Sequence, residues 1–172
     1  MSERIKPLTR HGQAHLADEH EWLARTERPR VLSQVTNAAA EGDRSENAEY
    51  IYGKKRMREI DRRLRYLDKL LKDAKIVDQS TLSGERVCFG ANVHVEDDQG
   101  KASVWTLVGE GEPEYHKHGI SWKSPVGKAL WGKEVGELVK IHRPAGTLEV
   151  EIVDITFEVF PAENIRDFKF FD

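Results

Sequence analysis

Apolar residues recur at two different periods along the chain, and the change of period divides it. Met57, Ile60, Leu64, Leu67, Leu71 and Ala74 follow one another at steps of 3, 4, 3, 4 and 3. That is the spacing of a coiled-coil seam, and Tyr50 and Gly53 continue it towards the N-terminus. Upstream, a first helix is predicted from Arg10, capped by Thr9, to about Ala40, with Gly42 as its stop. Its stripe is less regular. Leu16 and Leu23 are seven apart, and so are Val31 and Ala38 with Val35 between them, but the two sets do not share a register. The break is expected at Glu27-Arg28-Pro29, where proline removes a backbone donor and kinks a helix. A heptad helix needs a partner, and the short polar turn between the two helices supplies one in the same chain. An antiparallel hairpin with arms of about 30 residues, roughly 45 Å long, follows. A dimeric coiled coil is the competing reading; Gly42 and the polar turn interrupt the continuous helix it would need.

From Ile76 the pattern changes. Asp78-Gln79-Ser80-Thr81-Leu82-Ser83-Gly84 reads as a linker, and the period then becomes that of strands. Strands are predicted at Val87–Phe89, at Ala91–Val95 and at Ser103–Val108, the last two joined through a turn at Asp97-Asp98-Gln99-Gly100. Ser124-Pro125 opens a short helix running to about Trp131, with serine as cap and proline at the first position. Val139–His142 and Leu148–Ile152 flank Pro144-Ala145-Gly146 as a second hairpin. The apolar phase then slips from Leu148, Val150 and Ile152 to Val153, Ile155 and Phe157, which predicts a bulge near Ile152. The sum is a small antiparallel sheet with one helix, so the fold class is α+β. The expected division is a helical hairpin over 1–78, a β domain over 79–157 and a Phe-rich tail over 158–172.

Composition narrows the picture. The chain has 172 residues, of which 33% are charged and 38% hydrophobic. That is thin for one compact globule and normal for a chain with an extended arm. A single cysteine, Cys88, rules out an internal disulfide and fits a reducing cytoplasm. Cys88 itself reads as a small core residue of a strand. The N-terminus lacks the apolar core of a signal peptide, and no run approaches the ~20 apolar residues of a membrane span. Residues 1–78 hold 17 Lys and Arg against 14 Asp and Glu, whereas residues 79–172 hold 10 against 16. The basic excess in the helical half suggests an anionic partner there.

Candidate chemistry concentrates in the turn 42–47. Asp43 and Glu46 stand three residues apart just ahead of a helix, where two carboxylates near one point make hard oxygen ligands for Mg²⁺ or Mn²⁺. Two side chains cannot fill an octahedral shell, so water or a partner must complete it. The plainer reading is helix capping, with Ser45 as N-cap and Glu46 or Glu49 opposing the helix dipole. Beyond the turn comes a basic run, Lys54-Lys55-Arg56-Met57-Arg58, then Arg62-Arg63-Leu64-Arg65. Off the expected seam, it suits phosphate contacts or, more plainly, a solvated face balanced by Glu59, Asp61 and Asp68. His116 and His118 read as an exposed loop, and His11, His15 and His20 as surface or seam residues. No phosphate loop, nucleophile elbow or zinc spacing is present.

The stretch Glu41–Tyr50, the run Lys54–Arg63, Ser124-Pro125 and Pro144-Ala145-Gly146 together resemble the bacterial Gre transcript cleavage factors. The dense basic run makes the chain most similar to their GreB branch. The resemblance runs from about Thr9 to Phe157. It implies an N-terminal antiparallel coiled coil followed by an FKBP-like domain. It also implies a monomer that docks on bacterial RNA polymerase and threads the coiled coil through the secondary channel. Asp43 and Glu46 match the acidic pair that helps hold the second, weakly bound Mg²⁺ of the polymerase active site. Ser45 and Asn47 match supporting positions. Lys54, Lys55, Arg56 and Arg58 match the basic patch that holds the 3′ end of backtracked RNA. On this reading the polymerase cleaves its own transcript and the factor is no enzyme by itself. The tail after Phe157 departs from the family pattern. Two other readings remain: a channel-binding regulator that does not promote cleavage, and a coiled-coil adaptor or prolyl isomerase, since fold alone does not give activity.

Overall fold

A computed structural model describes residues 5–42 and 47–159. The chain forms two compact units, one of Leu16–Asp73 and one made of the segment up to His15 together with everything from Ala74 onward. The expected division at residue 78 therefore differs from the observed one. Strands β1 (Lys6–Thr9) and β2 (Ala74–Val77) flank the helices and pair in parallel, Leu8 opposite Ile76. Both strands belong to the unit that contains the sheet. Four-residue strands whose partner lies more than 60 positions away leave no local periodicity to read.

The helical unit is the expected antiparallel hairpin, with a different seam. Helix α1 (Arg10–Trp22) passes through a π turn, Leu23–Glu27, into α2 (Arg28–Ala40). Within that turn the Arg28 N–H donates to the carbonyl of Leu23, five residues back. Pro29 sits in the first turn of α2. It cannot donate to the carbonyl of Arg25 and its ring crowds that group, so widening the preceding turn relieves the conflict. The register break thus falls at Leu23–Glu27, a few residues before its expected place. Helix α3 (Ala48–Asp73) faces α1 and α2 through Gly53, Arg56, Ile60, Arg63, Leu67 and Leu70. Of the expected seam Gly53, Ile60 and Leu67 are buried; Tyr50, Met57, Leu64 and Leu71 are half-buried. Opposite them stand Leu16, Glu19, Leu23, Glu27, Val31, Val35 and Ala38, all buried.

The β unit is built on a five-stranded sheet in the order β5-β4-β3-β7-β6: β3 (Asn92–Asp97), β4 (Ala102–Val108), β5 (Gly119–Ser121), β6 (Leu138–Arg143) and β7 (Gly146–Thr156). It is antiparallel except for the β4–β5 pair. Both predicted hairpins form. At the first, the Asp97 carboxylate accepts the Gln99 and Lys101 N–H groups, and Gly100 takes φ +78°, a conformation that favours glycine. At the second, the register against β3 passes from Asp154 to Ile152, so Val153 is the extra residue of the predicted bulge. Helix α4 (Pro125–Leu130) starts as read, with Ser124 accepting the Gly127 N–H at 3.0 Å. Val93, Val95, Leu107, Leu130, Val139, Ile141, Val150 and Ile152 close one core. Val87–Phe89 is not a strand; an isolated bridge joins Arg86 to Glu134 beside it. Cys88, accordingly, is half-buried there, and burial pushes its thiol pKa up.

Candidate functional site

Among the described residues, the side chain of Asn47 fastens the closed end of the hairpin. Asn47 accepts the Tyr50 N–H on Oδ1 at 3.1 Å and so caps α3, while its Nδ2 donates to the Ala38 carbonyl at 2.7 Å. The capping role expected of Ser45 thus belongs to Asn47. Both ends of its amide are engaged in holding α3 to the last turn of α2, where the Glu41 N–H also donates to Ala38. A few residues on, Gly53 lets the helices close: a Cβ there would lie 2.5 Å from Cγ2 of Val35. Asp43, Ser45 and Glu46 lie outside the described residues; in sequence they fall between Gly42 and Asn47, the two residues at which the described hairpin stops and resumes.

Of the basic run, Lys54, Lys55 and Arg58 are exposed. Arg56 is not. It crosses the seam to Glu27, donating from Nε at 2.9 Å and from Nη2 at 2.7 Å, with 17% of its side chain exposed. Arg30 donates to the same carboxylate at 3.0 and 2.8 Å. The Arg30 hydrogen bonds are the largest influence holding the Glu27 carboxyl below the usual glutamate range; burial opposes them and the Arg56 bonds add to them. A second pair repeats the motif: Arg63 donates to fully buried Glu19 at 2.6 and 3.0 Å. Arg28 also meets Asp61 at 2.9 Å. Sequence reasoning placed Arg56 and Arg63 on the outer surface. The signal it passed over is that Glu19 and Glu27 lie in the same stripe as Leu16 and Leu23, spaced to face two arginines seven apart.

The histidines also depart from expectation. His116 is buried, with Nε2 2.8 Å from Glu112 Oε1 and 3.1 Å from Thr9 Oγ1. Glu112 accepts both the N–H and the hydroxyl of Thr9, and Thr9 in turn accepts the Gly12 N–H at 2.9 Å, the predicted cap of α1. His11 and His15 sit beside this cluster, ring to ring at 4.4 Å, His11 also 5.1 Å from His116 and His15 stacked on Tyr115. Burial is the main cause that lowers the His11 pKa. His20, with 32% of its side chain exposed, pairs with Asp68 at 2.7 Å. Among the described residues no group of His, Cys, Asp or Glu is arranged to hold a metal ion, and no helix is long and apolar enough to cross a membrane.

A helical hairpin with a capped polar turn, leading into a curled sheet with one short helix, defines a class that comparison with known proteins identifies. Residues 6–76 match the model of the N-terminal domain of transcription elongation factors, and residues 82–157 that of the GreA/GreB C-terminal domain. The chain belongs to the GreA/GreB family of transcription elongation factors. Within that family it is close to GreB. It is 48% identical to GreB of Yersinia pestis over 157 residues, covering 91% of this chain and 92% of the relative. It is 43% identical to GreB of Pseudomonas aeruginosa over 154 residues, 90% of this chain and 92% of the relative. GreA of Thermodesulfovibrio yellowstonii is 42% identical over 159 residues, 92% of this chain and all of the relative.

Proposed function

We propose that this protein acts on bacterial RNA polymerase in the cytoplasm as a monomer, inserting its helical hairpin into the secondary channel and stimulating cleavage of backtracked RNA by the polymerase itself. Beyond family membership, one observation supports the reading: Asn47 joins the end of α2 to the start of α3, so the connection that carries Asp43 and Glu46 closes the hairpin. The two carboxylates fit Mg²⁺ in kind, being hard oxygen donors, and are too few to complete its shell. Asp43 and Glu46 would therefore share the ion with the polymerase. Bound there, Mg²⁺ supplies charge neutralisation and a more acidic water for phosphodiester hydrolysis. Asp43 and Glu46 bring negative charge to one point; Ser45 supports the turn. Lys54, Lys55 and Arg58 hold phosphates of the extruded 3′ segment by point-charge contacts. Arg56 leaves this set, because its guanidinium is committed to Glu27.

The test is a stalled, backtracked elongation complex. Asp43→Asn combined with Glu46→Gln is expected to bind polymerase as the unaltered protein does, and to leave cleavage at the polymerase's unassisted rate. Stimulated cleavage by the double variant would refute the reading. Binding of the unaltered protein without any stimulation would favour a channel regulator that does not promote cleavage.

A further inference from the structure

The π turn accommodates Pro29, but the buried glutamate at its end has no evident task in a simple helical spacer. A turn with i→i+5 bonding carries an extra residue, is rare, and tends to mark functional positions. Its effect here can be worked out from the seam. Between Leu23 and Val35 the buried positions advance by fours, through Glu27 and Val31. On a straight α-helix each four-residue step turns the face by about 40° past a full turn, so the stripe would swing off the partner helix. The wide turn takes back a large part of that rotation. It delivers Glu27 into the seam at 3% exposure, where Arg56 reaches it from α3.

Beyond this pair, towards the turn, the buried side chains of α2 are small, Val31, Val35 and Ala38, with Val35 against Gly53, until Asn47 donates to the Ala38 carbonyl at the closed end. Small side chains slide past one another at low cost. A buried carboxylate with fixed guanidinium donors does not, because a shift leaves a charge buried and unpaired. We propose that Glu27, set in place by the π turn, is a positioning residue that, together with Asn47 at the closed end, fixes the axial level of α2 against α3, and so of the two helix ends that flank Asp43 and Glu46 in sequence. The inference rests on the cleavage reading above. A slip of one residue moves the end of α2 by about 1.5 Å. Misplacement of about 1 Å can lower a rate on the order of 10²-fold.

Deleting Thr26, an exposed residue of the π turn, tests this. The buried positions then follow at steps of 3, 4, 3, 4, 4 and 3, compatible with an uninterrupted α-helix, so the arm is expected to fold. A companion variant, Glu27→Leu with Arg56→Leu, replaces the pair by apolar side chains that keep the seam closed. Each is assayed with polymerase for the concentration giving half-maximal cleavage and for the maximal rate. Each is also measured without polymerase for the distance between nitroxide labels at exposed Leu32 and Tyr66, in a Cys88→Ser background. The companion variant, which removes the pair, is expected to shift that distance by about 1.5 Å, whereas the deletion keeps Glu27 opposite Arg56 and is expected to leave it unchanged. The companion variant should lower the maximal rate by roughly 10-fold or more, with half-saturation unchanged, and the deletion should keep it. An unchanged label distance in the companion variant overturns the proposal whatever polymerase does. So does an unchanged maximal rate in the companion variant. Should the deletion fail to fold, the companion decides: a normal rate with wild-type melting leaves the pair a purely structural contact and refutes positioning. Absence of stimulation by the unaltered protein would strike the cleavage reading alone, because the label distance is read without polymerase.

Discussion

Glu27 and Ile152 are both buried, and for opposite reasons. Ile152 lies in the β unit, where one face of a five-stranded sheet and helix α4 enclose a continuous apolar core. It is there because removing hydrocarbon from water is favourable, and the surrounding residues are of its own kind. Glu27 lies in an arm only two helices thick. Such an arm has no depth, and a seam position is never far from solvent. Arginine suits that geometry: its stem packs in the seam while its head reaches a carboxylate and keeps contact with water. Among the described residues of the β unit, the buried carboxylate and imidazole, Glu112 and His116, stand together around Thr9. The arm places its buried carboxylates, Glu19 and Glu27, along its central seam. A thin structure can be specified by charge where a thick one is specified by packing.

This contrast can be broken most severely in the β core. Ile152→Ala should cost about 2–5 kcal/mol, since it removes buried methyl groups and leaves a cavity. Urea unfolding followed by tryptophan fluorescence reads it, because Trp105, Trp122 and Trp131 all pack on that core. A loss below about 1 kcal/mol would mean that the core is not closed as described. Next comes Glu19→Gln, which leaves the Arg63 guanidinium in the seam without its counter-charge. A cost of about 2 kcal/mol is expected, below the 3–5 typical of fully buried pairs because Arg63 keeps 23% exposure. Helical circular dichroism during urea unfolding should show it, and adding Arg63→Met should recover most of it. Absence of recovery would show that the pair, and not the uncompensated charge, carries the stability. The smallest effect is that of Gly53→Ala. Overpacking against Val35, at about 1–3 kcal/mol, outweighs a helix-propensity gain of about 1. A net loss of about 1 kcal/mol, relieved by Val35→Ala, would confirm the close approach; a net gain would contradict it.

The same contrast explains what could be read from the sequence. The β half was legible because its signals are local: alternation of period two, Asp97 and Gly100 at a turn, Ser124-Pro125 at a helix start, and a phase slip that marks Val153 as a bulge. The hairpin was legible as an architecture, with its cap at Thr9 and its end near Ala40. Its seam was not. Met57, Leu64 and Leu71 form a regular apolar stripe one residue away from the true line, and the residues on that line include Arg56 and Arg63, which hydropathy assigns to solvent. Only the facing Glu19 and Glu27 make them seam residues, and that information lies some 30 to 40 positions away. The same distance hid the partners of His116, since Thr9 stands more than 100 residues upstream. At the candidate site Asp43 and Glu46 are a motif of the sequence that lies outside the described residues, whereas the anchoring role of Asn47 needed the Ala38 carbonyl in view.

That double grip of Asn47 has a practical corollary. The helix ends on either side of the acidic connection are joined to each other by Asn47 itself. The stretch from Gly42 to Glu46 is then a cassette: its chemistry can be exchanged for other short sequences while the stem persists. One scaffold could thereby present different reactive groups at the same place, and homologues could diverge in activity through a handful of codons.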